Sequence, residues 1–167
     1  MDRLDAVIAH VEIQQLIVKY AKGRDTTDAD IYREIFAQDA RILTGGGRTL
    51  SADLSAILGK VEGDVTRFNP DYVQGTEHWA VMRHVVTNVL IEAEGDRARG
   101  EYYVLTLGYN EAKKRPEVMS VTRNVDGYER RDGRWWIVES VLNFGWENEE
   151  MGQALQVGPW TPAEYRR

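Results

Sequence analysis

The chain has no cysteine among its 167 residues. That excludes disulfides, thiolate nucleophiles, iron–sulfur clusters and cysteine-ligated zinc together, and it fits a reducing compartment. Histidine is scarce as well: there are three, none in an HxH or HExxH arrangement, so the usual metal-ligand patterns are missing. Positive charge is short, with 21 Lys and Arg against 27 Asp and Glu and a net charge of −6. A nucleic-acid partner needs a basic face to neutralise phosphates, so none is expected. No apolar run nears the ~20 residues of a membrane helix. Asp2, Arg3 and Asp5 interrupt the start, where a signal peptide would be apolar. The expectation is a cytoplasmic protein with no membrane partner.

Hydrophobic residues make up 43% of the chain and charged residues 29%, which suits a folded globule and argues against disorder. The length fits one domain, since typical domains hold ~100–150 residues. We expect a single domain over residues 1–167, with 147–167 as a C-terminal tail.

Helical periodicity runs over residues 2–23, with Leu4, Val7, Ile8, Val11, Leu16, Ile17, Tyr20 and Ala21 as its apolar positions and Gly23 as its stop. Thr27 or Asp28 caps a second helix, DADIYREIFAQ. DARIL reads as a short strand and the glycines at 45–47 as a turn. Ser51 caps a third helix, ADLSAILGK. Residues 61–80 are the least regular stretch. From Met82 the pattern changes to β-branched runs: VMRHVVTNVLIEAE, RARGEYYVLTLGY, VMSVTRNVDGYERR and RWWIVESVLNFGW. The Asp-Gly pair at 132–133 is a strong hairpin signal. Helices followed by an antiparallel meander give an α+β fold, with helices packed on one face of a curved sheet and a pocket between the layers.

Few side chains are candidates for chemistry. His10, mid-helix, reads as a surface residue, and His78, in the loop region, as a solvated one. His84 opens the first long strand, where two-residue alternation places it on one face with Val86, Asn88 and Leu90. Strand position alone favours a packed core histidine over a functional one. Asp25 alone reads as a solvated or capping aspartate, and Tyr20 alone as a core aromatic with a bonded hydroxyl. Together they suggest more. A carboxylate on His84 Nδ1–H fixes the tautomer and makes Nε2 a better base. A tyrosine nearby can orient a substrate oxygen or protonate a leaving group. The GGGRT stretch lacks the spacing and Lys-Ser/Thr ending of a phosphate loop and reads as a turn.

The segments EIQQLIVKYAKGRD, IFAQDARI, HVVTNVLIEAEGDRARGEYYVL and GYERRDGRWWIVES occur in an order that resembles the SnoaL-like family of the nuclear transport factor 2-like superfamily. That group includes scytalone dehydratase, bile-acid 7α-dehydratase and hexachlorocyclohexane dehydrochlorinase. The resemblance spans roughly 130 residues. It implies a cone-shaped, strongly curved antiparallel sheet, with N-terminal helices closing an apolar pocket. It also implies no cofactor, no metal, a hydrophobic small-molecule substrate and a homodimer or homotrimer. Tyr20, Asp25 and His84 stand where the family's enzymes place their tyrosine and aspartate–histidine dyad. Phe36, Trp79, Tyr103, Ser140 and Leu142 are the expected wall. Tyr102 and Tyr103 stand where scytalone dehydratase has a second histidine, and Ser140 where the dehydrochlorinase has an arginine, so the bile-acid enzyme's set is the closer match. The function implied is a lyase or isomerase of dehydratase type. Alternatives are a non-catalytic binding protein of the same fold, or a structural partner like the β subunit of ring-hydroxylating dioxygenases.

Overall fold

The computed structural model describes residues 2–68, 82–110 and 115–147. Three helices come early: α1 (Arg3–Thr26), α2 (Ala29–Ile35) and α3 (Leu54–Phe68). The strands are β1 (Phe36–Thr44), β2 (Thr49–Ser51), β3 (Met82–Glu94), β4 (Arg97–Asn110), β5 (Arg115–Arg131) and β6 (Arg134–Glu147). They form one sheet in the order β2-β1-β6-β5-β4-β3. The fold is α+β, with three helices and a mostly antiparallel six-stranded sheet.

The meander β3 to β6 is antiparallel throughout, as its turn signals require. Gly95 (φ 59°) turns β3 into β4. Asp132 (φ 53°) and Gly133 (φ 77°) turn β5 into β6, both in the left-handed region that tight hairpins demand. The sheet is not wholly antiparallel, however. β1 lies beside β6 in parallel. It is also longer than DARIL, because its first residues, Phe36 and Ala37, are buried and continue the chain straight out of α2. β2 pairs back on β1 across the glycine turn.

Two helix ends differ from the sequence expectation. Asp53, not Ser51, caps α3, because its carboxylate accepts the Ala56 N–H at 2.8 Å while Ser51 closes β2. Gly23 does not stop α1, which continues to Thr26 and ends on Thr27 (φ 50°). Glycine stands at 23 for a different reason. The Tyr32 ring passes so close that an added Cβ would lie 2.5 Å from it.

The core lies between the helices and the inner face of the sheet, with Ile13, Ile17, Ile35, Trp135 and Ile137 almost fully buried. On α1 the inward face is Ala9, Ile13, Leu16, Ile17 and Tyr20. The helix is apolar on both sides: Leu4, Val7, Ile8 and Val11, the early part of the expected stripe, face away from the sheet and are exposed, and so is Val18. Of the adjacent tryptophans, Trp135 is buried and Trp136 lies outside, under the Arg134 guanidinium.

A candidate active site at the helix–sheet junction

The extension of α1 past Gly23 puts Asp25 in its last turn, packed against β3. His84 is the third residue of that strand. The two residues meet. Asp25 Oδ1 lies 2.8 Å from His84 Nδ1 and accepts the His84 backbone N–H at 2.8 Å. The His84 side chain is 8% exposed and that of Asp25 20%. One carboxylate oxygen thus holds both the backbone and the ring of the same residue. With the carboxylate ionised, Nδ1 is the protonated nitrogen of the neutral ring and Nε2 the basic one.

The alternation expected beyond His84 breaks. His84 and Val86 face inward, but Asn88 (φ 54°) sits at a bulge between Thr87 and Leu90. Past it the register shifts by one, so Leu90 is exposed and Val89 and Ile91 pack on the core.

Tyr20 is one and a half turns before Asp25 on α1 and is nearly buried. Its ring lies 5.9 Å from that of Tyr32 and 6.1 Å from that of Phe36. Phe36 is stacked on Tyr32 and fully buried, which places it in the aromatic cluster behind Tyr20. Ser140 and Leu142 occupy inward register positions opposite Asp126 and Asn124. Tyr103 does not: it pairs with Thr87 and Arg123 on the outer face, and its neighbour Tyr102 points inward. Two-residue alternation allows only one of the pair inside. Trp79 and His78 lie outside the described residues, and His10 is exposed. Among the described residues no cluster has the composition of a metal site.

The sheet's inner face also carries a group that the sequence reading passed over. On β5 the buried positions are Ser120, Thr122, Asn124, Asp126 and Tyr128, so four small polar residues lie inside while Val121 and Val125 are turned outward. Asp126 is 1% exposed. Its Oδ2 accepts the Tyr102 hydroxyl at 2.6 Å and the Tyr128 hydroxyl at 3.2 Å. Asn124 Nδ2 approaches Tyr102 Oη at 3.5 Å. Ser140, at the paired position on β6, helps to hold the carboxyl's pKa down. Even so, Asp126 Oδ1 and Ser140 Oγ have no hydrogen bond of ordinary geometry to any described group. Burial dominates and pushes Asp126 up to about 6, against the pull of the surrounding hydroxyls. Burial and the Asp126 charge push Tyr102 and Tyr128 well above the usual phenol range, and Tyr20 is near enough to Tyr102 to add to its rise. The sequence signal was the polar alternation S-T-N-D at 120, 122, 124 and 126. Ordinary hydrophobic logic turns such a row outward.

Residues 5–141, most of the chain, match the SnoaL-like domain. The chain belongs to the SnoaL-like family. No curated protein matches it in sequence. Among solved structures, the chain is similar to the hexachlorocyclohexane dehydrochlorinase LinA-type3 of Novosphingobium barchaimii, with a TM-score of 0.68 and 22% identity over 88% of this chain and 93% of that one. It is also similar to a nuclear transport factor 2-like protein with a cystatin-like fold from Novosphingobium aromaticivorans, with a TM-score of 0.67 and 21% identity over 93% and 97% of the two chains. A protein of unknown function from Mycobacterium tuberculosis has a TM-score of 0.66 and 21% identity over 82% and 76%. Identities this low establish a shared fold and leave chemistry to the site.

Proposed function

We propose that this SnoaL-like chain is a cofactor-free lyase or isomerase of dehydratase type, acting on a hydrophobic, oxygenated small molecule such as a steroid, a polyketide or an aromatic catabolite. The observation that carries this reading is the contact between Asp25 and His84 at 2.8 Å inside the helix–sheet junction. His84 Nε2 takes a proton from carbon next to a carbonyl or conjugated system, and Asp25 stabilises the imidazolium that forms. Tyr20 hydrogen-bonds the carbonyl oxygen. In a dehydration Tyr20 instead gives its proton to the departing hydroxide, which leaves as water. The electron pair of the broken C–H bond becomes the new C=C bond, and the proton held on His84, returned to the Tyr20 phenolate through solvent, restores both groups. General-base catalysis contributes ~10²–10⁴-fold, and oriented donors in a water-poor site contribute the rest.

The membership of a dehydrochlorinase among the structural neighbours supports elimination chemistry within this fold. The homodimer or homotrimer belongs to the same proposal. The outward apolar residues of α1, with Val85, Leu90 and Val118 on the sheet, are surfaces that such an assembly would cover. Sedimentation velocity tests it, and a monomer at micromolar concentration contradicts it.

The activity is tested by incubating the protein in D₂O with a panel of steroid, polyketide and aromatic ketones. Mass spectrometry then reads deuterium entering the position next to the carbonyl. Exchange or elimination that depends on His84 is the expected result. Ligands that bind but never exchange would make the chain a binding protein.

A further inference from the structure

Of the eight large apolar side chains exposed among the described residues, five lie on α1: Leu4, Val7, Ile8, Val11 and Val18, each at least 45% exposed. With ~3.6 residues per turn, all five fall on the side of the helix opposite Ala9, Ile13, Leu16 and Tyr20, which hold it on the sheet. Leu4, Val11 and Val18 stand seven residues apart, with Val7 and Gln14 between them. That is the spacing of a seam that packs against another helix. One apolar stripe is enough to seat α1 on its own sheet, so the second has no partner within the described fold.

The two flanks of the seam carry opposite charge. Asp5 and Glu12 line one side, and Arg3 and His10 line the other. Lys19, on the acidic side, is already tied to Glu34 of α2. Arg3, Asp5, His10 and Glu12 are all exposed and make no ion pair among the described residues.

We propose that this stripe is the contact face for α1 of a second copy of the chain, with the two helices parallel and in register across a two-fold axis. The inference rests on the homodimer included in the function proposed above and names its surface. The flanking charges select both the occupant and its direction. In a parallel pair each flank meets the opposite flank, so Arg3 and His10 come to the side of the partner's Asp5 and the partner's Glu12. An antiparallel pair would set the acidic flank against its own copy, where like charges repel. Parallel pairing also brings Leu4, Val11 and Val18 each against its own copy, and β-branched residues at such positions favour two strands. Gln14 meets its own copy as well, and an amide that both donates and accepts fixes the register there. The apolar seam supplies the strength, whereas the exposed rim charges set direction and add little energy.

Because the chain has no cysteine, single introduced cysteines report contacts without background. Leu4→Cys, Val11→Cys and Val18→Cys are mildly oxidised and run on a non-reducing gel. Each should yield a covalent dimer, since each residue faces its own copy within disulfide reach. Arg97→Cys, at a highly exposed position on β4, should stay uncrosslinked under the same oxidant. The native chain should sediment as a dimer. Val11→Glu should sediment as a monomer with an unchanged circular dichroism spectrum, because the position faces away from the core. If Leu4→Cys and Val18→Cys fail to crosslink alone while Val11→Cys succeeds, the pair is antiparallel and the proposal is overturned. An oligomer that crosslinks at none of the three sites also overturns it and leaves the homo-oligomer reading standing. A native monomer overturns both, and that is the result expected if residues 148–167 of the same chain, or a different protein, cover the stripe.

Discussion

Asp25 Oδ1 contacts both hydrogen-bonding nitrogens on one side of His84, the backbone N and the ring Nδ1, each at 2.8 Å. The backbone contact locks the end of α1 onto β3, and the ring contact orients the imidazole. A substitution at Asp25 therefore acts on register and on ring chemistry at once, whereas a substitution at His84 acts on the ring alone.

His84→Ala keeps the backbone N–H that Asp25 accepts, so the junction should hold. Turnover on any substrate found should fall by ~10²–10⁴ in kcat with a smaller change in ligand affinity, because a base acts in the transition state. His10→Ala, on the exposed side of α1, should leave both unchanged. Steady-state kinetics on the three proteins checks this, and retention of nearly full turnover by His84→Ala contradicts it.

Gly23→Ala reverses the usual ranking of helix formers. Inside a helix alanine is ordinarily better than glycine by about 1 kcal/mol. Here the new Cβ would meet the buried Tyr32 ring, itself stacked on Phe36. Overpacking of this kind costs ~1–3 kcal/mol. Urea unfolding should show a net loss of stability and not a gain.

Asp126 makes stability depend on pH in a direction opposite to most carboxylates. Its pKa is raised from 3.8 to about 6, so the folded state binds this proton more tightly than the unfolded chain. The contribution is fully present below pH 3.8 and is lost as pH rises through about 6. The gap corresponds to about 3 kcal/mol. Thermal unfolding of Asp126→Asn, compared with the native chain between pH 4 and 7, should show this component missing from the variant. Parallel curves for the two proteins would contradict it.

The meander and its two glycine-marked turns were legible in the sequence, because local turn chemistry and strand composition carry them, whereas Asp25 and His84 taken singly read as a capping and a core residue and were put together only by the family resemblance. The parallel placement of β1 beside β6 was not legible, since no residue in FAQDARILT encodes a partner nearly a hundred positions away. Leu90 was misplaced by the bulge at Asn88, whose only signal is one asparagine, a residue that tolerates the left-handed region, inside a β-branched run, and which shifts every later side chain on β3 to the other face. Tyr103 was the expected wall residue, and register instead turned its neighbour Tyr102 inward. The inward polar row on β5 defeated the hydrophobic rule itself, and it is there that the sequence departs from a purely apolar core.

The central claim is that Asp25 fixes His84 with the proton on Nδ1 and the lone pair on Nε2. It is tested most directly by ¹⁵N NMR of the His84 ring across its titration, in the native chain and in Asp25→Asn. The account predicts the Nδ1–H tautomer in the neutral native ring and, in Asp25→Asn, a titration moved to lower pH because the negative partner is gone. A native ring carrying its proton on Nε2, or the same titration in both proteins, would contradict it.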